Sequence, residues 1–430
     1  MYIKRIYLEN IRCFEKLEVE FTNARQSVLF LGDNGDGKST ILRCLAMGLC
    51  DSSSASALFR EMSSPVVHHE PGTSTASADT KGLIRIDLES KDGNTYRIET
   101  EINTGENFEE VTQTQCEIND DRPPSNGPLK FPWDRIFVTG YGPGLRTAGT
   151  QDHQKYSAVN AVYPIFVYDQ PLQNPELIIL RLMATARKRA RNPEQGDKAE
   201  KRIFKRIQTL MKELLGLRSG NDFQLTDTGI MVKGFWGTAG LSQLGDGYQA
   251  TITWVLDLIS WWFLRESTIS SNAWKLESIE GIVIIDEIEQ HLHPKWQRRI
   301  LPSLIKRFPN VQFIVATHSP LVASSSKKVE VHQLKEGRRL KKVNPYGWLA
   351  ENVYVMMGVH SRPEQFEEEI LTRYAELDRK KVEDTASKEE IEEWKKTTEV
   401  LVAMLPAGDP IAISMQVANM MEALNAKEGH

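Results

Sequence analysis

The chain has 430 residues, 40% of them hydrophobic, enough to bury a large core across two or three lobes. Its 53 Lys and Arg against 58 Asp and Glu leave a net charge of -5, which excludes a globally cationic nucleic-acid binder and leaves only local basic patches for that role. The four cysteines (Cys13, Cys44, Cys50 and Cys116) form no CxxC pair or zinc spacing and read as reduced thiols. Lys4, Arg5 and Glu9 interrupt any signal peptide, and the best apolar run, Ile252 to Leu264, is too short to cross a bilayer, so a cytoplasmic protein without membrane contact is expected.

In chain order, residues 2–22 alternate apolar and polar positions around the turn Asn10-Ile11-Arg12-Cys13-Phe14, which predicts a hairpin leading into the apolar strand Val28-Leu29-Phe30-Leu31. That strand meets Gly32-Asp33-Asn34-Gly35-Asp36-Gly37-Lys38-Ser39, a complete Walker A loop, and the helical spacing of Ile41, Leu42, Leu45, Ala46 and Leu49 follows. Glycines let successive backbone N–H groups face phosphates, and the next helix aims its N-terminus at the same charge. A nucleoside triphosphate is therefore the expected ligand, cradled by Asn34, Gly35, Asp36, Gly37 and Thr40, with Lys38 on the β- and γ-phosphates and Ser39 on Mg²⁺.

Asp51 to Lys81, rich in Ser and carrying Pro65, Pro71 and Gly72, reads as a long surface loop. Leu83 to Leu88, Tyr96 to Ile102 and Val111 to Ile118 alternate and predict an antiparallel β-subdomain. The short strand Ile136-Phe137-Val138 precedes Gly140-Tyr141-Gly142-Pro143-Gly144, a turn that either approaches a ligand or is an ordinary tight loop. Pro175 to Leu217 is helical and basic, with eleven Lys and Arg against three Asp and Glu in residues 181–212; a solvated helix face and a nucleic-acid or partner surface both fit.

Ile282-Val283-Ile284-Ile285-Asp286-Glu287 is an apolar β-branched run ending in two carboxylates, the pattern of a buried parallel strand with Walker B chemistry at its tip. Asp286 is expected to hold Mg²⁺ and Glu287 to polarise the attacking water. Phe313 to Thr317 predicts a second buried strand, ending at His318. Glu364 to Leu405 is charged and amphipathic, broken by Pro406 and Gly408 and followed by a short Met-rich helix with Met415, Met420 and Met421, the pattern of a helical cap.

The long interval between Lys38 and Asp286, and Leu244-Gly245-Asp246-Gly247-Tyr248-Gln249 ahead of the apolar helix Ala250 to Leu264, complete a pattern that resembles the RecF/SMC/OLD-like ABC ATPases. Ile11-Arg12-Cys13-Phe14, Walker A, the signature, Walker B with Glu289-Gln290-His291-Leu292-His293-Pro294, and Thr317-His318-Ser319-Pro320 appear in that family's order over most of the chain. The resemblance implies an α/β fold: an ABC-type P-loop ATPase head, a mixed, largely parallel sheet with an antiparallel β-subdomain, plus a helical insertion and a helical C-terminal cap. The corresponding segments are residues 1–150, 151–222, 223–345 and 346–430.

The resemblance further implies ATP and Mg²⁺ as cofactors, Glu287 and His318 as catalytic groups, and a homodimer or higher oligomer in which Gly245 and Gly247 of one head face the γ-phosphate on another. Thr139-Gly140-Tyr141 stands where such heads carry a Q-loop glutamine, no Toprim nuclease pattern follows Pro320, and no long heptad arm is present. His291 and His293 form a His-x-His pair, but the resemblance puts a cross-dimer loop there. ATPases of this build resemble those of bacterial anti-phage modules such as Septu and PARIS, which implies an effector partner, an HNH nuclease or a toxin, with DNA contact through residues 181–212 as a further expectation. A RecF-like repair ATPase and a weakly hydrolysing scaffold are the alternatives.

Overall fold

The computed structural model describes residues 1–23, 25–62, 66–68, 81–104, 109–118, 131–144, 146–150, 153–188, 190, 192–217, 222–226, 229–234, 236–266, 275–335, 339–359, 366, 370–405, 409, 411–415 and 417. The chain divides at Val353/Tyr354 into two compact units.

The first unit is built on two large sheets and a small three-stranded one. One large sheet has the order β2-β1-β4-β5-β6 and is antiparallel: β1 (Tyr2–Ile11), β2 (Phe14–Glu20), β4 (Lys81–Glu89), β5 (Thr95–Thr104) and β6 (Glu109–Ile118). The period-two alternation of these segments buries Ile6, Leu8, Ile84, Ile86 and Ile98 on one face, as expected for a sheet covered on one side. The other large sheet has the order β14-β13-β3-β12-β11-β7, comprising β3 (Ser27–Leu31), β7 (Val138–Tyr141), β11 (Glu280–Ile285), β12 (Asn310–Thr317), β13 (Val329–Lys335) and β14 (Arg339–Val343). All its pairings are parallel except the edge pair β13–β14. Because β12 lies between β3 and β11, the loops after these three strands open on one edge of the sheet, where α/β folds bind ligands.

Gln312 joins the two large sheets. Fully buried in β12, it accepts from Ile3 N–H at 2.7 Å and donates to Ile3 C=O at 3.0 Å, satisfying both backbone groups of a β1 residue next to a register shift.

Helices α1 (Lys38–Gly48), α2 (Ser52–Arg60), α3 (Ala158–Val162), α4 (Pro175–Lys188), α5 (Pro193–Leu214), α6 (Asp246–Glu266), α7 (Pro294–Arg307) and α8 (Pro320–Ala323) complete the first unit. α2 overturns part of the expected Ser-rich loop: Asp51 caps it, accepting from Ser54 N–H at 3.1 Å, and its Ala55 and Leu58 are buried. Pro65, Pro71 and Gly72 lie outside the described residues. The expected glycine turn at 140–144 begins later in the structure, since Gly140 and Tyr141 belong to β7. A three-stranded sheet of β8 (Asp222–Thr226), β9 (Gly229–Gly234) and β10 (Gly237–Gly240), short and glycine-bounded, was not expected.

α6 starts at Asp246, four residues earlier than the apolar run suggested, and is buried from Ala250 to Leu264. Such an all-round apolar helix needs cover on every side. Its one buried acid, Asp257, accepts from Tyr141 Oη at 3.0 Å and from the Gln173 backbone and side-chain amides at 3.2 and 3.0 Å. Gln173 in turn accepts from Ser260 and from Arg181, whose guanidinium also donates to His153 C=O at 2.6 Å. This network ties β7, α4 and α6 together.

In the second unit, α10 (Thr372–Val382) and α11 (Lys388–Met404) pack through stacked Tyr374 and Trp394 and the Arg373–Glu393 pair; a shorter helix, α9 (Ala350–Met357), straddles the division. Beyond residue 346 the described elements are these three helices. Glu364, Pro406, Gly408, Met420 and Met421 lie outside the described residues.

Two expected outcomes follow from these sutures. Gln312→Leu strips both partners from Ile3 and should destabilise the protein by about 2–3 kcal/mol in urea unfolding; a change below 0.5 kcal/mol would remove Gln312 as the link. Burial raises the Asp257 carboxyl from 3.8 to about 6, against the opposing hydrogen bonds from Gln173, Tyr141 and Trp261. With the folded pKa above the unfolded one, the native state binds the extra proton between about pH 4 and pH 6, so this contribution is fully present below that window and is lost as pH rises through it. Asp257→Asn should flatten this decline, on the order of 2 kcal/mol, in melts run from pH 4 to pH 8; an equal slope in both proteins would assign the decline elsewhere.

Candidate functional site

The Walker A loop leaves β3 at Gly32 and enters α1 at Lys38. Gly35 and Gly37 have φ of 92° and 95°, where glycine is favoured, and a Cβ on Gly37 would come within 2.5 Å of both Cys13 Sγ and Phe14 Cζ. The β1–β2 turn is therefore packed against the loop. Asp36 folds back to accept from Asp33 N–H at 2.6 Å, and Lys38 Nζ donates to Gly32 C=O and Asp33 C=O, both at 2.7 Å. Burial lowers the pKa of the Lys38 ammonium, while Asp36, Asp286, Glu289 and Asp33 oppose the shift. Asn34 and Gly35 are exposed at the crest; Thr40 is buried on α1.

Asp286 directly follows β11, 1% exposed, in hydrogen-bonding reach of Ser39. Its Oδ1 is buried without a hydrogen-bond partner. A buried carboxylate oxygen left unpaired beside a serine hydroxyl fits a Mg²⁺ site, because a hard cation would satisfy the missing interaction with oxygen ligands. Burial raises the Asp286 pKa, offset by Ser39, Lys38, Arg43 and Arg146.

Glu287 follows in a left-handed conformation, φ 48°, uncommon for a non-glycine residue and a mark of local strain. Burial, then the neighbouring Asp286 and Glu289, push its carboxyl above the usual range, against the pull of His318 and Lys38. His318 stands just beyond β12 with its side chain half exposed.

Two participants were missed in the sequence. Glu289, 5% exposed, accepts from His318 N–H at 2.8 Å and lies 3.2 Å from His318 Nδ1, fixing the histidine at the strand end; its Oε2 is buried without a partner. Its place in Glu289-Gln290-His291-Leu292-His293-Pro294 was the available signal. Arg146, fully buried with φ 48°, donates to Asp286 C=O at 2.6 Å, Glu287 C=O at 3.2 Å and Gly142 C=O at 3.2 Å. Burial depresses its guanidinium to about 10, so it stays charged at neutral pH. Only the preceding glycine turn hinted at it, and that turn serves packing: a Cβ on Gly142 would meet Pro164 C=O at 2.4 Å and one on Gly144 would meet Tyr168 C=O at 2.0 Å.

Lys38, Ser39, Asp286, Glu287 and His318 thus gather at one sheet edge. The two signature glycines differ. Gly245 is exposed, and a Cβ there meets nothing within 4 Å, whereas Gly247 is buried in the first turn of α6, 2.3 Å from His291 C=O once a Cβ is added. His291 has φ 62°, and His293 caps α7 by accepting from Lys295 N–H at 3.2 Å. The His-x-His pair therefore serves a loop and a cap, and no metal-type cluster of three His, Cys, Asp or Glu occurs among the described residues.

Of the eleven cations in residues 181–212, the part-buried Arg181 is engaged with His153 C=O and Gln173, Arg187 pairs with Asp197 and Glu200, and Lys198 pairs with Glu194. The three acids of the stretch are thereby used, and Lys201, Arg202 and Lys205 remain exposed on α5. No described helix is long and apolar enough to cross a membrane.

Compared with known proteins, the chain is 26% identical over 329 residues to the Septu protein PtuA of Bacillus mycoides, an alignment covering 74% of this chain and 38% of that protein. It is 25% identical over 440 residues to the Retron Ec83 probable ATPase of Escherichia coli, covering 86% of this chain and 79% of that one. The chain spans well under half the length of that PtuA. The SMC head domain from Thermotoga maritima aligns with a TM-score of 0.43 at 16% identity, over 80% of this chain and 97% of that one. Residues 28–324, more than half of the chain and the whole span from the Walker A strand past His318, match the family model described as AAA domain, putative AbiEii toxin, Type IV TA system, and the chain belongs to that family.

Proposed function

We propose that this chain is an ATP-hydrolysing switch that dimerises on ATP and controls a partner effector, a nuclease or toxin, in anti-phage defence. The observation that carries the ATPase reading is the buried, unpartnered Asp286 Oδ1 next to Ser39, with Lys38 and Glu287 alongside. Lys38 neutralises phosphate charge; Glu287, its carboxyl held by a strained backbone, orients and deprotonates the attacking water; His318, fixed by Glu289, senses the γ-phosphate. Mg²⁺ on Ser39 and Asp286 would supply charge neutralisation at the phosphates. The products are ADP and phosphate.

Similarity to proteins named Septu PtuA and Retron Ec83 probable ATPase supports the defence setting. The exposed, unobstructed Gly245 beside the positive start of α6 supports a role in reading a phosphate on a second head, since helix N-termini attract anions. Gly247 has a different part: locked against His291, it carries the state of the Walker B loop to α6.

Glu287→Gln should retain ATP binding and accumulate a closed dimer in size-exclusion chromatography with ATP and Mg²⁺, while Lys38→Ala binds no ATP. Adding Gly245→Arg to Glu287→Gln should abolish the dimer and leave monomer ATP affinity within about twofold, because the new side chain points into open space. Parental hydrolysis by Glu287→Gln would remove it as the water-orienting group, and a persisting dimer with Gly245→Arg would move the interface elsewhere.

A second reading, nucleic-acid contact through α5, rests on the three exposed cations Lys201, Arg202 and Lys205, which form no ion pair among the described residues. Reversing Lys201, Arg202 and Lys205 to Glu should weaken duplex DNA binding and make its salt dependence shallower, with ATP affinity unchanged. Equal binding by both proteins would leave α5 as a solvated face.

A further inference from the structure

Between the C-terminus of α5, the start of α6 and the start of α7 lies a cleft of about 730 Å³, lined by none of the residues assigned to the ATP site. One wall is aromatic. Tyr248 meets Trp296 edge to face with ring centres 4.1 Å apart, and Trp236, from the β9–β10 hairpin, meets Tyr248 in the same manner at 5.2 Å. These rings come from three elements far apart in the chain, and all three border the open volume.

The remaining lining mixes Leu215, Gly216 and Leu217 with four charged residues, three of them the cations Lys212, Lys295 and Arg299. Lys295 and Arg299, one turn apart on α7, are exposed and have no carboxylate partner among the described residues. The single acid at the cleft, Glu213, is neutralised by Lys306 and Arg307 from behind. Lys212 adds a charge shared with Asp222 at 3.5 Å. Gly216 keeps the floor bare: with φ 62° it sits where a Cβ would lie 3.4 Å from Trp296 Nε1 and 3.5 Å from Arg299 Nη1.

Three aromatic rings lining the cleft beside the two unpaired cations Lys295 and Arg299 suit a ligand that is planar at one end and anionic at the other. A purely apolar ligand would leave Lys295 and Arg299 uncompensated, and an acidic peptide has no need of three rings. Nucleotides meet both demands, because every base offers a stacking face and every phosphate accepts from lysine or arginine. The volume falls in the range of small-ligand sites.

We propose that this cleft is a second nucleotide-binding site, separate from the Walker loop, which stacks a base on the Trp236–Tyr248–Trp296 wall and holds its phosphate with Lys295 and Arg299. The nucleotide arrives either free or as one unit of a single strand. Tyr248 adjoins Gly247, and Lys295 lies two residues beyond His293, so an occupant touches both elements that flank the Walker B loop.

The test uses the full chain carrying Lys38→Ala, which removes ATP-site binding, and two probes: fluorescein-labelled dT12 and mant-AMP. Binding of mant-AMP alone identifies a free nucleotide, of dT12 alone a strand, and of both a unit accepted in either form. In each supporting case Trp296→Ala should weaken binding about tenfold or more, as loss of a stacking ring does. Arg299→Glu, at an exposed position that cannot disturb the core, should weaken it as well and lower the salt dependence of dT12 binding. Melting temperatures of both variants should stay near that of the parent. If the parent binds neither probe, or binds with an affinity that Arg299→Glu leaves unchanged, the proposal is overturned; loss on reversal of Lys201, Arg202 and Lys205 with Arg299→Glu silent would place the contact on α5 instead.

Discussion

The rest of the head depends on how the chain stabilises a buried carboxylate at the tip of β11. Asp286 is almost fully enclosed, and an isolated charge in such a place costs many kcal/mol. Its compensation comes from four directions: the Ser39 hydroxyl, the Lys38 ammonium, the Arg43 guanidinium and the Arg146 guanidinium. Each cation is itself depressed by burial, so the cluster is balanced only as a whole. Removing one member strands the others, which makes the site an electrostatic unit and not a collection of separable contacts.

The backbone beyond Asp286 follows from this balance. Arg146 fastens the carbonyls of Asp286 and Glu287, and Glu287 must then turn through a left-handed conformation to bring the chain back toward Glu289 and His318. A second left-handed residue, His291, delivers the loop to the first turn of α6, where only a glycine leaves room. Interfaces this tight shift between discrete arrangements more readily than they deform smoothly. A change in charge at the nucleotide end therefore has a short, packed route to α6, and through Asp257 and Gln173 to α4.

Much of this was legible in the sequence where the physics is local. The alternation of β1, β4 and β5 follows from burial of one face of a sheet, and the unbroken apolar runs of β3, β11 and β12 from burial of both. Walker A is readable because glycine spacing, the lysine and the following helix lie within one short stretch. Ser residues after Asp51 misled, because Ser and Asp are shared by loops and helix caps, and the packing of Ala55 and Leu58 decided for helix.

By itself, then, the sequence determined that a phosphate-binding strand-loop-helix, an acidic strand tip and a histidine strand end coexist in one α/β chain, since each is written in adjacent residues. Tertiary structure alone decided which further side chains meet them. Arg146 reaches Asp286 across 140 positions of sequence, Glu289 becomes a histidine anchor only when β12 lies beside β11, and three rings converge into a cleft only when α6 and α7 start side by side. The physical reason is the same in each case. Such contacts depend on strand order and helix placement, which arise from burial summed over the whole chain, and no single segment encodes them.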